Sequence, residues 1–153
     1  MNYILKENAM TKDYKIDGLQ KIKDLLESVD TSFKEKILSS LKLKNEKLAN
    51  AIENSLITVE KLSKLHPTHL EILNANLGDD LLSKILTREE KNIQSVFLKA
   101  MSQKRKAVVE DLMSTESPMP KEKLEEYRKK IILIAKKLEQ ENKIIFPFKD
   151  DIV

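Results

Sequence analysis

The feature that most constrains this chain is the spacing of its apolar residues, which recur three and four positions apart along nearly all of residues 18–141. That spacing places apolar side chains on one face of an α-helix, whereas a half-buried strand would alternate them with polar ones. The 153 residues include only two glycines, and the usual share of about 7% makes so few glycines an argument against a turn-rich all-β fold. The sequence therefore predicts an all-α protein.

Capping signals divide this pattern into short helices. Thr58 and Ser102 are each placed to cap a helix, and Pro67 suits a first turn. Asp79 is expected to cap another helix, and the segment Thr87–Glu90 has the capping-box form that predicts a helix start at Thr87. We expect helices of roughly eight to fifteen residues with short connections between them.

A proline-marked break precedes the last helix. Residues 114–120 contain Pro118 and Pro120, which leave little room for helical hydrogen bonds, and Pro120 suits the first turn of a long amphipathic helix. The residues expected to face the core share the three-and-four spacing within their helices. They are Ile22, Leu25, Leu26, Val29, Phe33, Ile37, Leu38, Leu41, Leu48, Ala49, Ile52, Leu62, Leu65, Leu70, Leu73, Leu82, Ile85, Leu86, Ile93, Val96, Phe97, Met101, Ala107, Val108, Val109, Leu112, Met113, Leu124, Tyr127, Ile131, Ile134 and Leu138.

The order of these helices predicts an armadillo-like, right-handed helical array. We expect about eight short helices, a long C-terminal helix and an extended tail. The predicted divisions are a flexible lead-in at 1–15, an N-terminal helical segment at 16–57, a helical domain at 58–146 and a tail at 147–153.

Composition narrows the classes of function. The net charge is only +3, from 28 basic and 25 acidic residues, which is too balanced to indicate nucleic acid or acidic lipid as a partner. The chain has no cysteine, so thiolate metal sites and disulfides are excluded. No apolar run approaches the ~20 residues of a membrane helix, and residues 1–15 lack the apolar stretch of a secretion signal. We expect a cytoplasmic protein without membrane insertion.

No set of residues suggests an enzyme or a cofactor site. His66 and His69 are three residues apart, but the nearest third ligand, Glu71, falls on another face, so surface histidines are the more economical interpretation. The basic cluster at 104–106 is the most distinct charged feature. It fits a solvated helix face or contact with an acidic protein partner better than nucleic-acid binding, which favours a wider basic stripe with aromatic residues.

A series of segments points to a known family. They read GLQKIKDLL at 18–26, LANAI at 48–52, FLKAMS at 97–102, SPMP at 117–120, KKIILIAKKLE at 129–139 and KIIF at 143–146. In order and spacing they resemble the C-terminal half of the flagellar motor switch family FliG, whose matching segments read VAEILN, LAEEI, FLRNMS, GPVR and KKILEIARRLEEEGEIVI. In that family this half is the rotor face that meets the stator protein MotA through charged residues on one helix ridge.

The resemblance assigns the family's basic ridge positions in this chain. The first falls on Thr87, with Arg88 beside it, and the next falls on Lys104, which keeps the charge. The last falls on Pro120, where the charge is lost. The resemblance therefore implies a stator-facing role for Lys104, with Arg88 as a neighbouring basic residue.

The acidic positions are also only partly kept. The first falls on Asp111, which is acidic, and the second falls on Leu112, so two of the five family charges remain. Arg105, next to Lys104, completes the set implied for the ridge. The MFVF hinge of the family falls on Leu56–Val59, and neither the N-terminal part nor the EHPQR-like patch is recognised. The chain therefore resembles a divergent or truncated relative.

These residues lead to one functional hypothesis and one rival. The hypothesis is a rotor component of the flagellar motor switch, cytoplasmic and peripheral at the basal body, with no catalysis, no cofactor and no metal. Its partners would be the cytoplasmic loop of MotA, FliM and neighbouring FliG-like subunits. The rival is a free-standing helical adaptor that keeps the fold without a torque role.

Overall fold

A computed structural model describes Gly18 and residues 20–147, and these residues contain helices and connections without a β-strand. The expected lead-in at 1–15 and the tail beyond residue 147 lie outside the described residues. The first helix, α1, covers 20–28. The others are α2 (Thr31–Lys44), α3 (Glu46–Ser55), α4 (Val59–Leu62), α5 (Pro67–Ala75), α6 (Asp79–Leu86), α7 (Lys91–Lys99), α8 (Gln103–Ser114) and α9 (Lys121–Gln140).

The chain divides into two compact units between Leu56 and Ile57. The first contains α1 to α3, and α2 packs against α3. Its buried apolar cluster consists of Leu26, Leu38, Ile52 and Leu56. So small a core offers a limited hydrophobic driving force, because stabilisation scales with the apolar area removed from water.

Two of the expected core residues in the first unit are exposed. Phe33 is 52% exposed and Leu25 is 50% exposed, so the prediction that they face inward is wrong. In α2 the buried position is Leu38, and five residues at 100° per residue turn Phe33 about 140° away from it. In α1 the buried positions are Leu26 and Glu27, and Leu25 is turned by about 100° from the first and about 200° from the second.

The second unit contains α4 to α9 around a larger core. Phe97 is its largest fully buried side chain, and α6 packs against both α8 and α9. The fully buried leucines and isoleucines around it come from four helices and from two segments outside the helices. They are Ile57, Leu62, Leu70, Leu73, Leu82, Ile85, Leu86, Ile131 and Ile144. Phe97 is therefore buried as predicted.

The second unit also shows where the apolar spacing misleads. Val108 is 44% exposed and Ala107 is exposed, although both were predicted to face the core. The fully buried residue of α8 is Val109, and Val108 is turned from it by about 100°. Val96 is 39% exposed for the same reason beside Phe97, and Ile134 is only half-buried.

Three of the expected helix starts are confirmed. The Thr58 and Ser102 hydroxyls each accept a hydrogen bond from the backbone amide three residues on, at 3.2 Å in both cases. Pro67 is the first residue of α5. These contacts satisfy first-turn amides that have no partner inside the helix.

Three other helix starts were predicted wrongly, including that of α9, where Pro120 is the N-cap residue and Lys121 is the first helical residue. α7 begins at Lys91 with Glu90 at the N-cap, so Thr87–Glu90 is not a capping box. Thr87 instead ends α6, and its hydroxyl donates to the Ser83 carbonyl at 2.6 Å. Asp79 is the first residue of α6, and Gly78 occupies the N-cap.

After α9 the chain turns sharply and then contacts α5. Asn142 has φ = 60°, and the Asn142 and Lys143 amides donate to the carbonyls of Glu139 and Leu138, which is a Schellman closure. Ile144 is then buried, and the next amide donates to His69 Nδ1 at 3.2 Å. This turn fixes the chain that follows the long helix.

A partly buried carboxylate links the α6–α7 connection to α9. Glu89 lies 3.8 Å from Arg128, and its side chain is only 14% exposed. Burial raises the pKa of the Glu89 carboxyl, and the Arg128 guanidinium opposes this rise only in part. The charged form of Glu89 is therefore less stable in the folded protein than in the unfolded chain.

Replacing Phe97 by alanine should lower the free energy of unfolding by roughly 3–5 kcal/mol, because it empties a fully buried aromatic site. Val96→Ala is the matched control, since its side chain is largely at the surface and its loss should cost well under ~1 kcal/mol. Chemical denaturation followed by circular dichroism measures both. Equal stabilities for the two variants would place Phe97 outside the core.

Replacing Glu89 by glutamine should stabilise the protein at pH 7 and lose that advantage as the pH falls. A carboxyl with a raised native pKa favours folding below its unfolded pKa, and this contribution disappears as the pH rises through the native pKa. Unfolding at pH 7 and pH 4 tests this, with exposed Glu35→Gln as the control. A gain at pH 4 as large as that at pH 7 would contradict the assignment.

Candidate functional site

The candidate site is the exposed face of α8. Lys104 and Asp111 are both exposed there and lie seven residues apart, which is close to two helical turns. Their side chains therefore project on nearly the same side, about 10 Å apart along the axis. Ala107 and Val108 lie between them and are also exposed. We call these four residues the α8 ridge.

Both end charges of the ridge oppose the dipole of their own helix. α8 has no acidic residue in its first turn and no basic residue in its last turn. Lys104 lies near the positive N-terminal end, and Asp111 lies near the negative C-terminal end. A charge that opposes the helix dipole typically lowers the stability of the helix by roughly 0.3–1 kcal/mol. Helix stability therefore does not explain the charge order of the ridge.

Arg105 does not lie on the ridge. It is directed to the α5–α6 connection, where its Nε donates to Asp79 Oδ1 at 2.7 Å. Its terminal nitrogens donate to the carbonyls of Asn74 and Leu77. Asn74 lies in the last turn of α5, whose carbonyls have no partner within the helix. We call this set of contacts the Arg105 clamp, and it fixes the start of α8.

Arg88 has a similar positioning role at the other end of α8. Its guanidinium donates to the carbonyls of Lys84 at 2.8 Å and Ser117 at 2.7 Å, and it lies 3.8 Å from the Glu116 carboxylate. Its side chain is only 18% exposed. These contacts fix the connection that follows α8. Arg88 therefore helps to position α8 and is not a free surface charge.

A groove of about 480 Å³ opens beside the Asp111 end of α8. Leu112, Met119 and Tyr127 give it apolar walls, and Lys84 lies 5.9 Å from the centre of the Tyr127 ring. The hydrogen bond to Asp80 raises the pKa of the Lys84 ammonium group. Asp80, Glu116 and Lys123 also line the groove, so it offers mixed polar and apolar contacts next to the Asp111 end of the ridge.

The two histidines have structural contacts. Their rings lie 5.9 Å apart, edge to face. His66 Nδ1 accepts the Thr68 amide at 3.2 Å, and His69 Nδ1 accepts the Ile145 amide. In the part of the chain that the structure describes, no group of three or more His, Asp or Glu residues is arranged to hold a metal ion. Nor is any helix within that part long and apolar enough to cross a membrane.

Comparison with known proteins identifies the family. A model of the FliG C-terminal domain matches residues 39–146, which is well over half of the chain.

This chain belongs to the FliG C-terminal domain family.

The curated relatives of this chain include flagellar motor switch proteins that are longer than it is. The flagellar motor switch protein FliG of Bacillus subtilis is 25% identical over 140 residues, which cover 90% of this chain and 41% of that protein. FliG of Thermotoga maritima is 23% identical over 131 residues, covering 86% of this chain and 39% of that protein. The chain thus spans about two fifths of the length of these relatives. The family is a structural part of the flagellar motor switch, with no enzymatic role.

Solved FliG structures share the fold. The crystal structure of FliG residues 86–343 from H. pylori superposes with a TM-score of 0.65 at 20% identity, covering 94% of this chain and 69% of that one. Full-length FliG from Aquifex aeolicus gives a TM-score of 0.56 at 22% identity, covering 94% of this chain and 46% of that one. This FliG domain therefore has the all-α, armadillo-like fold that the sequence predicts.

Arg105→Gln should lower the free energy of unfolding by roughly 1–3 kcal/mol, because it removes the guanidinium donors of Asp79 and the Leu77 carbonyl and one of the two donors of the Asn74 carbonyl. The neighbouring Lys104→Gln is the matched control and should change stability by less than ~0.5 kcal/mol. Thermal and urea unfolding measure both. If the two variants have equal stability, the Arg105 clamp contributes nothing to holding α8.

Proposed function

We propose that this chain is a flagellar rotor component that contacts the stator through the α8 ridge. The observation that carries the proposal is the exposure of Lys104 and Asp111 on one face of α8, in an order that its helix dipole does not favour. Opposite charges two turns apart can meet a complementary pair on a partner helix. Membership of the FliG C-terminal domain family supports the motor role over the free-standing adaptor.

The proposed stator partner is the cytoplasmic loop of MotA. Exposed ion pairs contribute only about 0–1 kcal/mol each, so the ridge would steer and orient the loop more than it would hold it. Ala107 and Val108 supply a small apolar surface between the two charges, and the groove beside Asp111 adds mixed polar and apolar contacts. A weak, oriented and reversible contact suits a rotor that repeatedly meets its stator.

The four charged residues that the sequence implicates have two different proposed roles, according to their contacts in the structure. Lys104 and Asp111 would touch the stator, while Arg105 and Arg88 would position α8 through the contacts described above. FliM and neighbouring FliG-like subunits are the other proposed partners. The proposed location is the cytoplasmic side of the flagellar basal body, where the family's motor switch proteins act.

Reversing both ridge charges, as Lys104→Glu with Asp111→Lys, should weaken binding to a purified MotA cytoplasmic loop by about tenfold, or ~1.4 kcal/mol, and reduce swimming. The melting temperature should stay the same or rise slightly, because the reversed charges favour the helix dipole. Titration calorimetry, thermal unfolding and a swimming assay measure the three quantities.

Lys64→Glu with Glu71→Lys is the matched control, since both residues are exposed, have the same signs and are also seven residues apart. The control should bind the loop and swim like the parent. Unchanged binding and swimming in the ridge variant, with the fold intact, would move the function to a helical adaptor.

A further inference from the structure

The buried side chain of Asn74 joins the end of α5 to the end of α7. Asn74 is only 1% exposed. Its Nδ2 donates to the Phe97 carbonyl at 3.0 Å and to the Ala100 carbonyl at 3.2 Å. Phe97 lies in the last turn of α7, and Ala100 is the C-cap residue. The last carbonyls of a helix lack the amide partner four residues on, so Asn74 caps α7 from a neighbouring helix.

The same residue also contacts the start of α8, through its backbone. The Asn74 carbonyl accepts a hydrogen bond from the Arg105 guanidinium, within the Arg105 clamp. The side chain of Asn74 therefore binds the end of α7 while its carbonyl binds a residue in the first turn of α8. The connection between these two helices is only three residues long, at 100–102. We call Asn74 with its contacts to Phe97, Ala100 and Arg105 the Asn74 junction.

Apolar packing does little to fix this connection. A cavity of about 440 Å³ borders it, and its lining includes Glu71, Ala75, Met101 and Ser102. The connection therefore has open space on one side. α8 itself buries only Val109 completely. The directional hydrogen bonds of the Asn74 junction thus have a large share in determining where α7 ends and where α8 begins.

Stability alone does not account for an asparagine at this position. Leu70 and Leu73, its neighbours on α5, are fully buried apolar residues. Asn74 Oδ1 is buried and has no hydrogen-bond partner among the residues that the structure describes, and an unpaired buried acceptor is unfavourable. Buried polar groups can specify one arrangement of packed elements at a cost in stability. The asparagine therefore fits a role in fixing geometry better than a role in raising stability.

We propose that Asn74 is a positioning residue that sets the direction of α8, and with it the direction in which the α8 ridge projects. α8 has 12 residues, so it is about 18 Å long, and a turn of about 10° at its start would displace its far end by about 3 Å. A stator that contacts Lys104 would then be out of register with Asp111. This effect on stator binding rests on the proposed function, whereas the effect on the direction of α8 does not.

The direction of α8 can be measured with pairs of nitroxide spin labels, because the chain has no cysteine. Thr68→Cys on α5 with Glu110→Cys reports on α8, and Thr68→Cys with Leu133→Cys on α9 is the reference pair, since all three residues are exposed. Double electron–electron resonance should give a narrow distance distribution for each pair. Adding Asn74→Asp, which keeps the shape of the side chain but removes the donor, should broaden the α5–α8 distribution or shift it by about 2 Å or more. The α5–α9 distance should stay the same.

Asn74→Ala removes the same donor without adding charge, so it should also disturb the α5–α8 distance, and it replaces the aspartate variant if that variant fails to fold by circular dichroism. Leu62→Ala is the control for lost stability, because it truncates a fully buried side chain of α4, which packs against α9. At a temperature at which it is folded, this control should keep both distances. Unchanged α5–α8 distances in the Asn74 variants, or an equal change in the control, would overturn the proposal.

The consequence for the ridge is measured by titration calorimetry with the purified MotA cytoplasmic loop. Asn74→Ala should weaken binding by at least about threefold, and Leu62→Ala should keep the affinity within about twofold of the parent. Equal affinities for the two variants would overturn the proposed effect of Asn74 on the ridge. A parent chain that does not bind the loop would instead contradict the stator role, and the spin-label distances would still decide whether Asn74 sets the direction of α8.

Discussion

The arrangement of the second unit depends on the Arg105 clamp. Val109 is the single fully buried side chain of α8. Burial of apolar surface therefore contributes only modestly to the packing of this helix against the core. The guanidinium of Arg105 adds an ion pair with Asp79 and bonds to two carbonyls at the α5–α6 connection. Arg88 holds the connection at the opposite end. α8 is thus fixed at both ends while its outer face stays exposed.

This arrangement explains how a helix can be both rigid and available to a partner. A helix held mainly by a broad apolar stripe would bury more of its surface. Here polar contacts at the ends replace part of that burial, and Ala107 and Val108 remain at the surface. The charge order of Lys104 and Asp111, which opposes the helix dipole, is easier to understand as a recognition feature than as a stabilising one. Membership of the FliG C-terminal domain family gives that feature a motor context.

Local signals in the sequence predicted the helices well and their long-range contacts poorly. The caps at Thr58 and Ser102 depend on residues three positions away, so spacing alone revealed them. The capping box at Thr87 failed because α6 extends to Leu86 and uses the Thr87 hydroxyl itself. The Arg105 partner, Asp79, lies 26 residues earlier, and nothing in helical periodicity connects the two. The resemblance located the ridge, but only the structure separated its exposed charges from the positioning arginines.

A stator contact through α8 can be tested by mapping where the MotA cytoplasmic loop binds this chain. Titration of the unlabelled loop into the nitrogen-15-labelled protein, followed by amide chemical shifts, reports the contact residue by residue. We expect the largest changes on the exposed face of α8, at Lys104, Val108 and Asp111, and no change at the exposed residue Val96 on α7. Saturable changes that leave α8 unperturbed would contradict this expectation.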